Sequence, residues 1–138
     1  MTLRAETRHR ARTAQLLYAW EAQDRPPVTR TASALLAWHP RCRGAIERAE
    51  VFATEVADDI ESLDEELASA VDHWRPERIG TMERAILRLA LFELRRGDTP
   101  PKVVITEAVK LAHWFAGGGA PAFINGVLDA VARRTGRL

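Results

Sequence analysis

The most apolar stretch of the sequence is TMERAILRLALFELRR, residues 81–96. Its apolar side chains recur on nearly every side of a helix, at Met82, Ile86, Leu87, Leu89, Ala90, Leu91, Phe92 and Leu94. Since a helix that is apolar all round has to be surrounded by other elements, we predict a central helix here, stopped by Gly97. The residues that we expect to be largely buried are Leu87, Ala90, Leu91 and Leu94.

Two further helices are predicted after the central one. The first begins at the prolines at 100 and 101, and its inward side consists of Val104, Ala108, Leu111 and Phe115. Three glycines at 117–119 connect it to the last helix, where Pro121 occupies the first turn, a position that suits proline. This glycine run follows a helix and lacks a lysine, so we interpret it as a connector and not as a phosphate-binding loop.

Four helices are predicted before the central one. The first carries a stripe made of Leu3, Thr7, Ala11, Ala14, Leu17 and Tyr18. A short helix should cover residues 31–38, and a third shows apolar side chains three or four residues apart from Ile46 to Ile60. Ser62 and Glu65 match a capping box, so a fresh helix should start at Ser62 and end near Trp74. No strand pattern competes, and the sequence predicts an all-α fold of about seven helices.

Composition bounds the class of protein. The chain has 138 residues, of which 46% are apolar and 28% are charged, which indicates one globular domain or two tightly fused subdomains. No apolar run approaches the length of a bilayer span, and no apolar segment follows the arginine-rich start as in a secretory signal. The single cysteine, Cys42, cannot form an internal disulfide. We therefore expect a cytoplasmic protein with no membrane association.

Charge is unevenly distributed, although the net charge is only +1. Residues 4–12 hold four arginines and one glutamate, whereas residues 47–66 hold nine acidic residues and one arginine. Arg4, Arg8 and Arg12 form one ridge of the first helix, while Arg10 lies near the edge of its apolar side. An arginine ridge suits RNA, because a guanidinium pairs with phosphate and stacks on bases. A solvated basic surface, pairing with the acidic segment, and a membrane-surface helix are the alternatives.

Catalytic patterns are lacking. The four histidines, at 9, 39, 73 and 113, are scattered, and no cysteine pair accompanies them, so we expect no metal site and no cofactor. None of the serines stands in a nucleophile-elbow pattern. Glu107, in an apolar helix, is more simply a structural hydrogen-bonding residue than a catalyst. We therefore predict a binding protein and no enzymatic activity.

Four segments together resemble the NusB family, in its order and spacing. They are RHRARTAQLLYAW at 8–20, ERAILRLALFEL at 83–94, PKVVITEAVKLA at 101–112 and FINGVLD at 123–129. The resemblance implies one NusB-like domain over residues 1–138, built as two small helical bundles packed across each other. It also implies a transcription antitermination factor that binds the boxA element of nascent, single-stranded ribosomal RNA together with the ribosomal protein NusE, in the transcription elongation complex.

The resemblance also assigns residues. RNA-binding positions are expected at Arg8, Arg10, Arg12, Lys102 and Phe123, to which the basic ridge adds Arg4. NusE-binding positions are expected at Glu83, Arg84 and Leu87. Two departures from the family pattern are Thr106 in place of asparagine and the glycine-rich loop at 117–119, which neighbours the expected RNA surface.

Two rival interpretations stay open. Ribosomal-RNA cytosine methyltransferases carry a similar helical region ahead of a catalytic domain, an interpretation that fails if 138 residues are the whole protein. The other rival is a protein-binding scaffold whose arginines serve solubility or self-association. The resemblance also implies a possible homodimer that covers the arginine-rich helix.

Overall fold

The computed structural model describes residues 4–138, and within them the chain is all-helical. The α-helices are α1 (Ala5–Ala22), α2 (Val28–Trp38), α3 (Arg43–Asp58), α4 (Ile60–Ala70), α5 (Thr81–Arg96), α6 (Pro101–Phe115) and α7 (Ala120–Arg134). Two single-turn 3₁₀ helices, Pro40–Cys42 and Pro76–Arg78, precede α3 and α5. The predicted all-α class and the number of helices are confirmed for this range.

The chain divides into two compact units, with the boundary between Asp58 and Asp59. The N-terminal unit contains α1, α2 and α3, each of which contacts the other two. Small side chains lie in its core, since Ala14, Ala49 and Ala53 are at most 1% exposed. Such residues allow helix backbones to approach closely.

The C-terminal unit contains α4 to α7, and within it α5 and α7 each contact the other three helices. All residues from 85 to 94 are buried, which confirms α5 as a central helix. The four residues predicted to be buried, Leu87, Ala90, Leu91 and Leu94, are at most 4% exposed. Despite this apolar content, no helix of the described chain is long and apolar enough to cross a membrane.

The ends of the later helices follow the predicted signals. Gly97 has φ of 74°, the left-handed backbone conformation with which α5 ends. Pro121 is buried in the first turn of α7. Gly117 and Gly118 also have positive φ values, 69° and 56°. The connector between α6 and α7 therefore uses backbone geometry that favours glycine.

The predicted start of α4 is wrong. Ser62 does not cap this helix, which begins two residues earlier, at Ile60, because Ile60, Leu63 and Leu67 form a buried stripe that extends the helix backwards. The helix also ends at Ala70 and not near Trp74, since Val71 is extended and His73 has φ of 58°. Similarly, α2 begins at Val28, directly after Pro27, and not at Thr31.

The buried side of α1 is rotated from the predicted stripe. Tyr18 is 43% exposed, whereas Leu16, Leu17 and Trp20 are buried. Trp20 also donates a hydrogen bond from Nε1 to the carbonyl of Pro26 at 2.8 Å, which fixes this large ring inward. Leu3 of the predicted stripe lies outside the described residues.

Candidate nucleic-acid interface

The arginine ridge on α1 is accessible over its first turns. Arg4 and Arg8 are exposed and Arg12 is half-buried, so the three positions, one helical turn apart, offer guanidinium groups to solvent. Arg12 is held in place by two contacts, from Nη1 to Gln15 Oε1 at 3.3 Å and from Nη2 to Cys42 Sγ at 3.5 Å. The ridge is thus anchored at one end by the segment that precedes α3.

Arg10 differs from the ridge. It is only 8% exposed and lies on the packed side of α1, three residues from Thr7 and Thr13, which are buried as well. Its guanidinium offers little surface to a ligand. Direct RNA contact at Arg10 stays a prediction, whereas the sequence-based placement of this residue near the apolar side agrees with the structure.

A groove of about 550 Å³ lies beside the ridge in the N-terminal unit. Four arginines line it, Arg8 and Arg12 from α1, Arg41 from the first 3₁₀ turn and Arg48 from α3. The other lining residues are Ala5, His9, Cys42, Gly44 and Ala45. None of the described residues that line this groove is acidic, so its electrostatic potential is positive.

His9 forms part of the groove wall as a neutral ring. Its imidazole stands edge-on to the Phe52 ring, with the ring centroids 5.0 Å apart. Burial lowers the pKa of His9 to about 4, helped by the positive charges of Arg48 and Arg10. Near neutral pH the positive charge of the groove therefore comes from its arginines alone.

The C-terminal unit contains a second groove, of about 640 Å³, next to Phe123. Phe123 is 39% exposed, in contrast to its neighbour Ile124, which is fully buried, so the ring is available at the surface. The groove is lined by Val71, Asp72, His73, Trp74, Arg75, Arg78, Ile79, Glu83, Gly117, Gly119, Ala120 and Phe123. Lys102 is exposed in the first turn of α6 but does not line this groove.

Glu83 shares that groove and also caps α5. Its Oε2 accepts a hydrogen bond from the backbone N–H of Gly80 at 2.9 Å, which satisfies an amide near the helix start. A Cβ at position 80 would come too close to this carboxylate, so the end of the Glu83 side chain would have to shift for any other residue there. Arg84 donates from Nη2 to Thr81 Oγ1 at 3.3 Å and is half-buried.

Leu87 is fully buried, as predicted for the core, and its contact with a partner protein stays a prediction. The position falls on the side of α5 that packs inside the unit, where a partner cannot reach its side chain. The helical pattern predicted Leu87 in the core and the family resemblance predicted it at the interface, and burial favours the first.

Comparison with known proteins gives the family. The model of the NusB family matches residues 7–133, which is most of the chain. The chain belongs to the NusB family. Similar proteins include the "Transcription antitermination protein NusB" of a Nitratiruptor species, 38% identical over 129 residues and 92% of each chain. The protein of the same name from Solibacter usitatus is 37% identical, over 91% of this chain and 87% of its own.

Solved structures of NusB proteins share the fold. One is the crystal structure of antitermination factors NusB and NusE in complex with double-stranded RNA, with a TM-score of 0.81 at 24% identity over 96% of this chain and 99% of that one. The solution structure of NusB from Aquifex aeolicus gives a TM-score of 0.82 at 25% identity, over 95% and 89% of the two chains. The resemblance inferred from the four sequence segments is thus confirmed.

Two groups of residues line these grooves but were not predicted as binding residues from the sequence. Arg41 and Arg48 stand about thirty residues or more beyond the arginine-rich start, and only the packing of α1 against α3 brings them beside Arg8 and Arg12. Trp74, Arg75 and Arg78 join the Phe123 groove from the segment between α4 and α5. Helical periodicity carries no signal for either juxtaposition.

The structure also places the metal-ligating and acidic side chains that the sequence analysis considered. Among residues 4–138, no three or more His, Cys, Asp or Glu side chains are grouped so that they could hold a metal ion. Glu107 is 6% exposed, and Lys110 Nζ lies 3.6 Å from its carboxylate on the same helix. This contact is an ion pair, and the structural hydrogen-bonding role of Glu107 stays a prediction.

Proposed function

We propose that this chain is a transcription antitermination factor that binds RNA together with the ribosomal protein NusE. The observation that carries the proposal is the family match over residues 7–133, combined with an exposed arginine ridge at the start of that match. Relatives that cover about nine-tenths of the chain are transcription antitermination proteins. A related NusB has been solved with NusE and RNA.

The RNA contacts that we propose in the N-terminal unit are Arg4, Arg8 and Arg12. Arg4 and Arg8 are exposed and can pair with phosphates, a contact that fixes the position of the RNA without reading its sequence, while Arg12 is half-buried and its guanidinium also contacts Gln15 and Cys42. Arg10 lies on the packed side of α1, so we propose that it stabilises the helix that carries the ridge. We propose single-stranded, boxA-like RNA as the ligand, and the double-stranded RNA of the related complex makes strandedness part of the test.

In the C-terminal unit we propose that Phe123 stacks on an unpaired base and that Lys102 pairs with a phosphate. The exposed fraction of the Phe123 ring supports this role, because a stacking platform has to reach the surface. Lys102 is exposed on α6, whereas Phe123 is on α7. We therefore propose that Lys102 attracts a phosphate by its charge and does not share a specific contact with Phe123.

NusE is proposed to contact the start of α5 through Glu83 and Arg84. Both side chains are half-buried and lie in the first turn of the helix, where polar residues at the rim of an interface control association. Leu87 is left out of this surface because it is fully buried.

In this proposal the chain acts by binding and not by catalysis. Residues 1–138 form one functional domain, and the protein works in the cytoplasm. Its place is the elongation complex, where RNA and NusE would be held side by side so that RNA polymerase reads through terminators. A homodimer would compete with this assembly if it covered the ridge on α1.

The decisive experiment titrates a labelled boxA-like RNA with this protein, with and without NusE. We expect binding that weakens as salt rises, and tighter binding when NusE is present. A scrambled single strand and a boxA duplex serve as matched ligands. If the protein fails to bind boxA-like RNA at low salt, both alone and with NusE, the proposed function is wrong.

The NusE surface is tested with Glu83→Lys and Glu83→Gln. The lysine variant reverses a charge at the interface and should weaken the NusE complex about tenfold, with greater salt sensitivity. Because Glu83 also caps α5, the glutamine variant keeps an oxygen that can accept from Gly80 and removes only the charge. NusE affinity that is unchanged in both folded variants would contradict this surface.

A further inference from the structure

The groove between α1 and α3 has features that the ridge on α1 does not explain. Its arginines come from three separate segments, α1, the 3₁₀ turn Pro40–Cys42 and α3, and all four guanidinium-bearing residues line one space. Arg41 and Arg48 are exposed, so their charged ends are solvated in the absence of a ligand. Four like charges around one space repel one another, and a polyanion in that space removes the repulsion.

Neighbouring carboxylates do not neutralise the groove. Glu6 and Glu47 each stand next to a lining residue in the chain, but neither lines the groove, and Glu47 pairs with Arg43 at 3.6 Å. The ring of His9 is held neutral between Phe52 and the groove, because burial, then Arg48 and Arg10, lower its pKa to about 4. The groove is therefore positive at neutral pH without a built-in counter-charge among its described lining residues.

The size of the groove fits a segment of nucleic-acid backbone. A volume of about 550 Å³ falls within the range of sites that enclose a ligand of several hundred daltons, which is the size of one nucleotide unit. Small residues, Ala5, Gly44 and Ala45, form part of the lining. At Gly44 even an added Cβ would meet nothing within 4 Å, so the start of α3 leaves room for a chain to pass.

We propose that Arg41 and Arg48 extend the RNA-binding surface from α1 onto the start of α3, so that phosphates of the bound RNA occupy the groove between these helices. This inference rests on the proposed RNA-binding function and adds a second pair of phosphate contacts to it. The Arg12 guanidinium, held by Gln15 and Cys42, marks the point where the α1 ridge and the groove join.

The test measures RNA binding by fluorescence anisotropy at several salt concentrations, using the full chain and a labelled boxA-like RNA. Arg41→Ala/Arg48→Ala is compared with Arg8→Ala/Arg12→Ala and with a charge-matched control, Arg30→Ala/Arg134→Ala, whose arginines are exposed outside the groove. We expect the Arg41/Arg48 variant to bind roughly tenfold more weakly than wild type. Its salt slope should fall by up to about 0.7 for each phosphate that the variant no longer neutralises.

Two comparisons make the outcome decisive. Arg41→Lys/Arg48→Lys keeps both charges, so it should recover most of the salt slope, and circular dichroism checks that every variant is folded. If wild type and the control bind equally and the Arg8/Arg12 variant is weakened, but the Arg41/Arg48 variant binds like the control, the extension is overturned and the proposed function stands. If wild type does not bind RNA at all, both are overturned.

Discussion

Arginine has opposite roles in the two units of this molecule. In the C-terminal unit, Arg88 pairs with Asp64, and Arg95 and Arg137 both pair with Glu66, all at 2.8–2.9 Å. In the groove of the N-terminal unit, Arg8, Arg12, Arg41 and Arg48 surround a space whose described lining contains no carboxylate. The same side chain thus stabilises a fold where an acid faces it and is available for a ligand where none does.

This difference cannot be read from composition. The acidic segment at 47–66 suggests at first that it neutralises the basic start of the chain. Instead, its last residues, Asp64 and Glu66, pair with arginines of the C-terminal unit. Which arginines are free for RNA therefore depends on which carboxylates the fold uses internally.

The largest expected effect is on the core of the C-terminal unit. Replacing Leu91, which is fully buried in α5, with alanine should lower the free energy of unfolding by about 2–5 kcal/mol, because apolar packing is removed and a cavity remains. Urea denaturation measures the decrease. Val103→Ala, at an exposed position of α6, is the control and should change stability by less than about 0.5 kcal/mol. A decrease below about 1 kcal/mol for Leu91→Ala would contradict the central position of α5.

The buried ion pair comes next. Arg88 is 5% exposed and forms a two-pronged contact with Asp64, from Nε to Oδ1 at 2.8 Å and from Nη2 to Oδ2 at 2.9 Å. Asp64→Ala should cost about 3 kcal/mol of unfolding free energy, because the buried guanidinium loses its two-pronged contact with this carboxylate. Replacing both partners, Asp64→Leu with Arg88→Met, should cost less than the single change.

A surface pair of the same unit provides the control for Asp64. Asp129 accepts from Arg133 at 2.9 Å, but both side chains are at least 41% exposed. Asp129→Ala should therefore change the unfolding free energy by only about 0–1 kcal/mol. Equal effects of the two single substitutions would mean that burial does not set the strength of these pairs.

The third prediction contrasts how the two units would bind RNA. Phe123→Ala should cost about 1–3 kcal/mol of binding free energy with the salt slope unchanged, since stacking releases no counterions. The arginine variants of the N-terminal unit should instead reduce that slope. Trp114→Ala is the matched control, because Trp114 is a comparably exposed aromatic residue outside the Phe123 groove. A reduced slope for Phe123→Ala, or an unchanged affinity, would refute the stacking role.

Much of the fold was predictable because its signals are local. The helix α5 follows from apolar residues on every side and from Gly97, and α7 from a proline in its first turn. The start of α4 was not predictable from the capping pattern at Ser62, because the buried stripe of Ile60, Leu63 and Leu67 begins the helix two residues earlier. A cap stabilises a helix end by about 1 kcal/mol, less than the burial of one large apolar side chain.

The candidate site was predictable only where one helix contains it. The spacing of Arg4, Arg8 and Arg12 places them on one ridge by the helical repeat alone. Arg41 and Arg48 became part of the site through tertiary packing, which no local pattern specifies. Leu87 shows the reverse case, since a position assigned by resemblance to an interface is enclosed by its own unit.

The smallest expected effect is on the stability that the Glu66 carboxylate provides, which should depend on pH because Glu66 pairs with two arginines of the C-terminal unit. Burial acts to raise the pKa of Glu66, but hydrogen bonds from Arg137 and Arg95, together with their charges, outweigh it and hold the pKa below its ordinary value of 4.5. A carboxyl whose pKa is lowered in the folded state stabilises the protein above its unfolded pKa, and this contribution is lost as pH falls through the folded pKa.

Glu66→Gln should therefore lower the free energy of unfolding by about 1 kcal/mol near neutral pH, a modest amount because these pairs are partly exposed to solvent. The difference from wild type should shrink as the pH falls below the ordinary pKa of 4.5 and through the lowered pKa of the folded state, where Glu66 itself becomes protonated and resembles the neutral glutamine. Denaturation at a series of pH values measures this convergence, with Glu65→Gln as the control, since Glu65 is the exposed neighbour. A difference that is as large in acid as at neutral pH would mean that geometry, and not charge, makes Glu66 the shared partner of Arg95 and Arg137.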